Sequence, residues 1–394
     1  MNFKLSDRVQ RIKPSPTLAI TARAAELRAA GNDIIGLGAG EPDFDTPEHI
    51  KEAAVKAIAD GFTKYTAVDG TAGLKQAIID KLSRDNQLDY SANQILVSCG
   101  GKQSFFNLTQ ALLNEGDEVI IPAPYWVSYP DMVLLADGKP VIVEADIEQH
   151  FKITPAQLEA AITDKTRLVV LNSPSNPSGI AYSKKELAAL AQVLLKHPHV
   201  LVATDDMYEH ILWADEPFSN IVMACPELYD QTIVLNGVSK AYSMTGWRIG
   251  YAAGPENLIK AMKKVQSQST SNPTSISQVA AEAALNGDQS CLQPMLSAFK
   301  ERHEYVHQRL NAIDGISCLP SDGTFYSFPD VRGFIAKLDG VNDDMELSEY
   351  LIEKAGVALV PGTAFGSPGY IRISFATSLD VLKDALDRIE NVIS

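Results

Sequence analysis

Cysteine is scarce in this chain: four in 394 residues, at positions 99, 225, 291 and 318. They are widely spaced and form no CxxC pair, so a disulfide-stapled fold is excluded and a reducing compartment is expected. Long apolar runs are missing too. No stretch approaches the roughly 18 uncharged apolar residues that a membrane-spanning helix needs, and the opening segment MNFKLSDRVQRIKPSPT has no apolar signal core. Positive charge is also in deficit. Lys and Arg total 34 against 49 Asp and Glu, a net charge of −15, which argues against a bulk electrostatic grip on nucleic acid or anionic lipid. Any anion must be met by a few placed cations. The expectation is a cytoplasmic globular protein with neither a nucleic-acid nor a membrane partner.

The rest of the composition is ordinary, 45% hydrophobic and 21% charged, and the length suits two or three domains with a large core. From about Thr46, short β-branched runs alternate with helical patterns, which predicts an α/β fold. Strands are expected over 94–98, 118–122, 140–143, 168–172, 200–204, 232–235 and 249–253. Helices are expected between them, including 102–113, whose Phe105, Leu108, Leu112 and Leu113 share a face, and 183–195. The strand runs alternate little, as in a sheet covered on both sides. In DTPEHIKEA, Thr46 is expected to cap a helix that starts at Pro47. After about Asn286 the texture becomes α+β: a long amphipathic helix over 292–313, a strand near 324–328, a helix near 347–355, a strand over 370–375 and a final helix. The expected division is an N-terminal segment 1–47 packing with the small domain, a large domain 48–285 and a small domain 286–394.

Three motifs invite false readings. GLGAG at 36–40 is followed by Glu41 and Pro42, not by the last glycine and helix of a dinucleotide fingerprint. Gly100-Gly101-Lys102 opens a helix after a strand but lacks the Walker pattern, although a helix start can still hold phosphate. His303-Glu304-Tyr305-Val306-His307 is a literal HExxH, the pattern of a zinc hydrolase. However, no histidine follows His307, and His303 falls in the apolar stripe of Phe299, Val306, Leu310 and Ile313. No metal is expected, and zinc hydrolysis is kept only as a remote alternative.

In open α/β sheets, ligands bind beyond the carboxyl ends of the strands, so the residues that follow each predicted strand form a functional census. They are Gly101 and Lys102, Trp126, Asn176 in SPSNPSG, Asp205 and Tyr208, then Lys240 and Arg248. A lysine amine, a carboxylate, a flat aromatic, an amide, a phenol and an anion cluster are the inventory that pyridoxal phosphate chemistry requires. Together with AGEPDFDTP, KYTAVDGTAGLKQAI, CGGKQSFFNL, PAPYWVSYPDM, NSPSNPSG, DDMYEH, NGVSKAYSMTGWRIGY and YIRISFATS, the chain resembles the class I aminotransferases of fold type I, nearest the bacterial aspartate aminotransferase subgroup. These motifs span nearly the whole chain.

The resemblance implies a three-layer α/β/α large domain with a mainly parallel sheet, a smaller α+β domain, and pyridoxal 5′-phosphate as cofactor. Lys240 would form the Schiff base, Asp205 would pair with the pyridinium nitrogen, and Tyr208 and Asn176 would reach the phenolic oxygen. Trp126 would stack on the ring, and Gly101, Lys102, Ser239 and Arg248 would serve the phosphate. Tyr65 would reach the phosphate of a neighbouring subunit, which implies a homodimer with shared sites. Asp205 rather than Asp206 is chosen on register alone. Arg372 is argued independently: in 370–375 it alternates with the apolar positions, and a buried guanidinium needs an anion. By resemblance that anion is the substrate α-carboxylate, with Gly40, Trp126 and Asn176 nearby.

The implied reaction is amino transfer between an L-amino acid and a 2-oxo acid with ping-pong kinetics. Lys102, Ser15 and Thr17 stand where dicarboxylate-accepting members carry a lysine and hydroxyls, which favours aspartate with 2-oxoglutarate. Prephenate or aromatic amino acids are the rival substrates, and a lyase of the same fold is the rival reaction.

Overall fold

The computed structural model describes residues 3–14 and 16–392. Twelve strands occur among these residues: β1 (Ile35–Gly36), β2 (Ile95–Ser98), β3 (Glu118–Ala123), β4 (Lys139–Glu144), β5 (Thr166–Asn172), β6 (Leu201–Asp205), β7 (Thr232–Gly237), β8 (Gly250–Ala253), β9 (Tyr326–Ser327), β10 (Val357–Ala358), β11 (Val360–Pro361) and β12 (Ile371–Ser374). Seven of them form one sheet in the order β2-β8-β7-β6-β5-β3-β4. All run parallel except β8, which is antiparallel to both neighbours. The class is α/β, as expected.

The weak alternation of the strand sequences has a direct cause. Along β5, Val169 and Leu171 pack into one core while Leu168 and Val170 pack into another on the opposite face. Strand side chains alternate sides, so a strand buried on both must be apolar at every position. Helices cover both faces, among them Ala72–Asn86, Gly101–Leu112 and Lys184–Leu194.

A third core gathers the helices Leu292–Ala312 and Leu379–Asn391, the helix Asp344–Lys354, and strands β12 and β9 of the antiparallel sheet β11-β12-β9. The chain's beginning joins this core: β1 pairs in parallel with β10, and Leu37 is buried in it. No helix among the described residues is long and apolar enough to cross a membrane.

Two local expectations are corrected. Thr46 caps nothing. The helix is Glu48–Ala59, preceded by Pro47, and the Thr46 hydroxyl donates to the Ser243 carbonyl at 2.7 Å while accepting from the Trp247 indole at 3.0 Å. A tertiary partner won over the local one. The extended stretch at 324–328 shrinks to Tyr326–Ser327 because Thr324 has φ of 66°, which no strand accommodates.

Candidate active site

The register of the sheet builds the floor of the site. Asn172 pairs with Asp205 and Asp205 with Leu235, so the carboxyl ends of β5, β6 and β7 lie in one row. All three residues line a cavity of about 270 Å³, where an open α/β sheet is expected to bind its ligand.

Asp205 is a buried carboxylate in that floor. Burial pushes its pKa up, opposed by hydrogen bonds from Tyr129 and the Met207 N–H and by the charge on Lys240. The Tyr129 hydroxyl donates to Oδ2, and the Met207 N–H reaches Oδ1 at 3.3 Å. Asp206 faces elsewhere. Its carboxylate accepts from the Thr204 hydroxyl at 2.6 Å and the Asn220 amide at 2.7 Å, and it does not line the cavity.

Lys240 sits three residues past β7, and its Nζ donates to the Gly40 carbonyl at 2.6 Å. Burial lowers its pKa to about 8, helped by the positive charges of Arg372 and Arg248 and opposed by Glu41 and Asp205. An amine with that pKa is about half neutral at pH 8, where an ordinary lysine is almost wholly charged, so it is the better nucleophile and base.

One wall of the cavity gathers positive charge. The helix Gly101–Leu112 opens there, and Gly101, Lys102, Ser239, Thr245 and Arg248 line it. The free N–H groups of a helix start attract negative charge. Close packing makes this possible: a Cβ on Gly250 of β8 would lie 2.3 Å from the Gly101 nitrogen, so only glycine lets strand and helix meet. Arg248, at φ of 57°, is tethered through the carbonyls of Thr245 (2.8 Å) and Cys99 (3.4 Å). Burial lowers the Lys102 pKa, with repulsion from Arg248 adding to it. Its amine lies 5.2 Å from the centroid of Trp126, which also lines the cavity.

The opposite wall holds Arg372. It is 2% exposed, and its two terminal nitrogens donate to Asn176 Oδ1 at 2.8 Å and to the Gly38 carbonyl at 2.6 Å. No carboxylate among the described residues pairs with it, and its Nε is buried without a partner. The Thr17 hydroxyl, also on the cavity wall, is likewise unpartnered. Tyr208 completes the site with its hydroxyl 3.1 Å from that of Tyr326.

The cavity therefore brings together Gly40, Gly101, Lys102, Trp126, Asn176, Asp205, Tyr208, Ser239, Lys240, Arg248, Arg372 and Thr17. Tyr65 is not among them. It is 91% exposed on the chain's surface. Ser15 lies outside the described residues. Asn172, Thr245 and Tyr326 also line the cavity and escaped the sequence reading. Asn172 was findable, because it ends its strand in the row that Asp205 ends. Tyr326, an aromatic inside GTFYSF, reads as core and carries no other signal.

The zinc alternative is overturned. His303 is buried, its Nε2 accepts from the Ser321 N–H at 3.2 Å, and its ring stacks on Trp213 at 5.4 Å. Burial and His307 lower its pKa to about 4. His307 is spent on the Cys318 carbonyl at 3.1 Å. No group of three or more His, Cys, Asp or Glu among the described residues could hold a metal ion. The HExxH spacing here is one helix packing its stripe.

Comparison with known proteins agrees with this geometry. A family profile described as Aminotransferase class I and II matches residues 32–389. The chain is 63% identical to an aspartate/prephenate aminotransferase of Nitrosomonas europaea, with the whole of both chains covered. It is 50% identical to an aspartate aminotransferase of Bacillus subtilis, covering 99% of each. Among solved structures it is similar to the aspartate aminotransferase of Rhizobium meliloti, with a TM-score of 0.96 at 50% identity over 100% of this chain and 99% of the other. The Thermus thermophilus aspartate aminotransferase with maleate gives a TM-score of 0.93 at 42% identity over 99% and 100%.

Proposed function

We propose that this chain, which belongs to the aminotransferase class I and II family, moves an amino group between L-aspartate and 2-oxoglutarate. The observation that carries the substrate class is Arg372, a buried cation with two neutral acceptors and no carboxylate of its own. Such a charge is prohibitive unless an anion arrives to meet it. A substrate α-carboxylate supplies that anion with the bidentate geometry guanidinium favours. A second carboxylate has receivers too: the partly desolvated amine of Lys102 and the orphaned hydroxyl of Thr17.

The donor set fits pyridoxal 5′-phosphate. When bound, that cofactor supplies an aldehyde for an amine and a heterocycle that accepts electrons. Lys240 would provide that amine, and as a base it would carry the proton removed from the substrate Cα. Asp205 would hold the ring nitrogen and keep it protonated, and the cation so gained would draw its own pKa back down. Asn176 has committed Oδ1 to Arg372, so its amide N–H groups are the donors left for the phenolic oxygen, beside Tyr208. Trp126, on the cavity wall, would cover one ring face. Gly101, Lys102, Ser239 and Arg248 would hold the phosphate, and Gly40 and Trp126 would border the substrate.

Three further parts belong to the same reading. The chain divides into an N-terminal segment 1–47 that packs with the small domain, a large domain 48–285 and a small domain 286–394. It works as a homodimer in the cytoplasm, with exposed Tyr65 serving the partner's phosphate. Prephenate is a second acceptor, favoured by the aspartate/prephenate aminotransferase of Nitrosomonas europaea at 63% identity. Aromatic amino acids and lyase chemistry rank below both.

The test is to load the protein with pyridoxal phosphate and add aspartate, glutamate, tyrosine and alanine in turn, recording the cofactor's absorption and the products. Aspartate and glutamate should convert the cofactor spectrum, and aspartate with 2-oxoglutarate should yield oxaloacetate and glutamate. A preference for tyrosine or alanine, or ammonia release without amino transfer, would overturn the assignment.

A further inference from the structure

We propose that Tyr326 is a positioning residue that joins the two halves of the site, its ring seating the Arg372 guanidinium and its hydroxyl ordering the proton of Tyr208. The inference rests on the reading of Arg372 as the substrate-carboxylate grip and Tyr208 as a cofactor-facing donor.

The placement follows from strand register. Tyr326 on β9 pairs with Ser374 on β12, and Arg372, two residues earlier, shares the face of Ser374. The guanidinium carbon lies 4.4 Å from the Tyr326 ring centroid and 4.9 Å from that of Phe365. A planar cation in contact with two aromatic rings is held in orientation as well as position. With its terminal nitrogens fixed by Asn176 and Gly38, Arg372 is aimed before any substrate arrives.

The hydroxyl does separate work. It lies 3.1 Å from the Tyr208 hydroxyl, and both residues are buried. Gly40 makes the room, because a Cβ there would fall 2.5 Å from the Tyr326 oxygen. Two phenols in one hydrogen bond share one donated proton. If Tyr208 gives its proton into the cavity, Tyr326 must give its own to Tyr208, which strengthens Tyr208 as a donor. The charged and titratable groups facing Tyr208 are Tyr326 and Arg372 from the small sheet, Asp205 from β6 and Tyr129, which donates to Asp205, with Lys240 on the same cavity. The substitutions below leave all of them except Tyr326 in place.

The two roles separate by substitution in the cofactor-loaded enzyme. Tyr326→Phe keeps the ring and loses only the hydroxyl. It should bind the unreactive dicarboxylate succinate within about twofold of the unsubstituted enzyme, while the pH midpoint of the bound cofactor's absorption rises by about half a unit. The sign is upward because a weaker Tyr208 donor leaves the cofactor's phenolic oxygen more basic. Tyr208→Phe should move it further in the same direction, and the double variant should match Tyr208→Phe alone. Tyr326→Leu removes the ring and should weaken succinate about tenfold, raising KM for aspartate more than it lowers kcat. An unmoved midpoint in Tyr326→Phe, or succinate affinity within twofold in Tyr326→Leu, would overturn the proposal. If Tyr326→Leu fails to fold, the near-isosteric Tyr326→Phe decides alone. Failure of the underlying reading looks different: the unsubstituted loaded enzyme would not bind succinate, or Tyr208→Phe would leave the midpoint unmoved.

Discussion

Two fully buried cations are treated in opposite ways in this molecule. Lys81, 1% exposed, forms an ion pair with Glu209 and donates to Asn86 Oδ1 at 2.7 Å, while Glu209 also accepts from the amides of Asn86 (2.8 Å) and Asn236 (2.7 Å). Burial would raise the Glu209 pKa, yet Lys81, His210 and the Asn86 hydrogen bond bring it to about 2. That network is closed. Arg372 has neutral acceptors, aromatic rings and an orphaned Nε instead. A buried charge that is internally compensated ties elements together; one left uncompensated beside a cavity is open to an anionic ligand.

Removing each cation tests the contrast most severely. Arg372→Ala should lower kcat/KM for aspartate on the order of 10³-fold, the scale of a desolvated charge pair. Its thermal midpoint should change little, because no internal ion pair is lost and the disappearance of an unpaired buried charge offsets the two hydrogen bonds given up. Lys81→Met should do the reverse. It strands the Glu209 carboxylate and should cost about 3–5 kcal/mol in denaturant unfolding, with KM for aspartate within about twofold. A large midpoint drop in Arg372→Ala, with little change in Lys81→Met, would erase the distinction.

The acid limb sharpens it. Because Glu209 is held below the ordinary carboxylate value, its contribution to stability is complete above about pH 4.5 and lost as pH falls towards 2. Unfolding measured over that window should show a loss of about 2–3 kcal/mol from this group. Glu209→Gln should remove that share of the slope, and an unchanged slope would show that Lys81 does not hold the carboxylate ionised.

How much of this could be read in advance follows from where the information sits. The inner strands of the main sheet were readable because burial on both faces forces continuous apolar runs, whereas the edge strand β4 is half exposed and rested on its β-branched residues. The residues sought at the strands' carboxyl ends, Asp205 and Lys240 among them, do line the cavity. Arg372 was readable because a guanidinium inside a strand is anomalous by itself. Tyr326 was not, since an aromatic in a short strand looks like core until the register to Ser374 is known. Thr46 misled because local capping chemistry competes with tertiary partners that sequence order does not show. His303 did not mislead, because its place in an apolar stripe already pointed to packing; the ring of Trp213 and the Ser321 N–H are the partners that sequence order could not name.

A third cation, Lys240, stands between the two extremes, and its pH dependence is the finest test. It borders the cavity, donates to a carbonyl, and has a pKa lowered to about 8 by burial, with Arg372 and Arg248 assisting. In the cofactor-free protein the folded state therefore releases this proton near pH 8, whereas the unfolded chain keeps it until about 10.4. Between those values the unfolded state binds more protons, so stability should rise with pH, the opposite slope to that of a lysine held by a carboxylate. Water reaching the cavity moderates the effect, so the rise should total about 1–2 kcal/mol. Lys240→Met should abolish this rise in cofactor-free protein unfolded between pH 8 and 10.5. Loading the unsubstituted protein with pyridoxal phosphate should abolish it as well, because the amine then no longer titrates freely. If the slope survives Lys240→Met unchanged, the amine is not the group whose charge the fold disfavours, and Lys240 belongs with Lys81 rather than with Arg372.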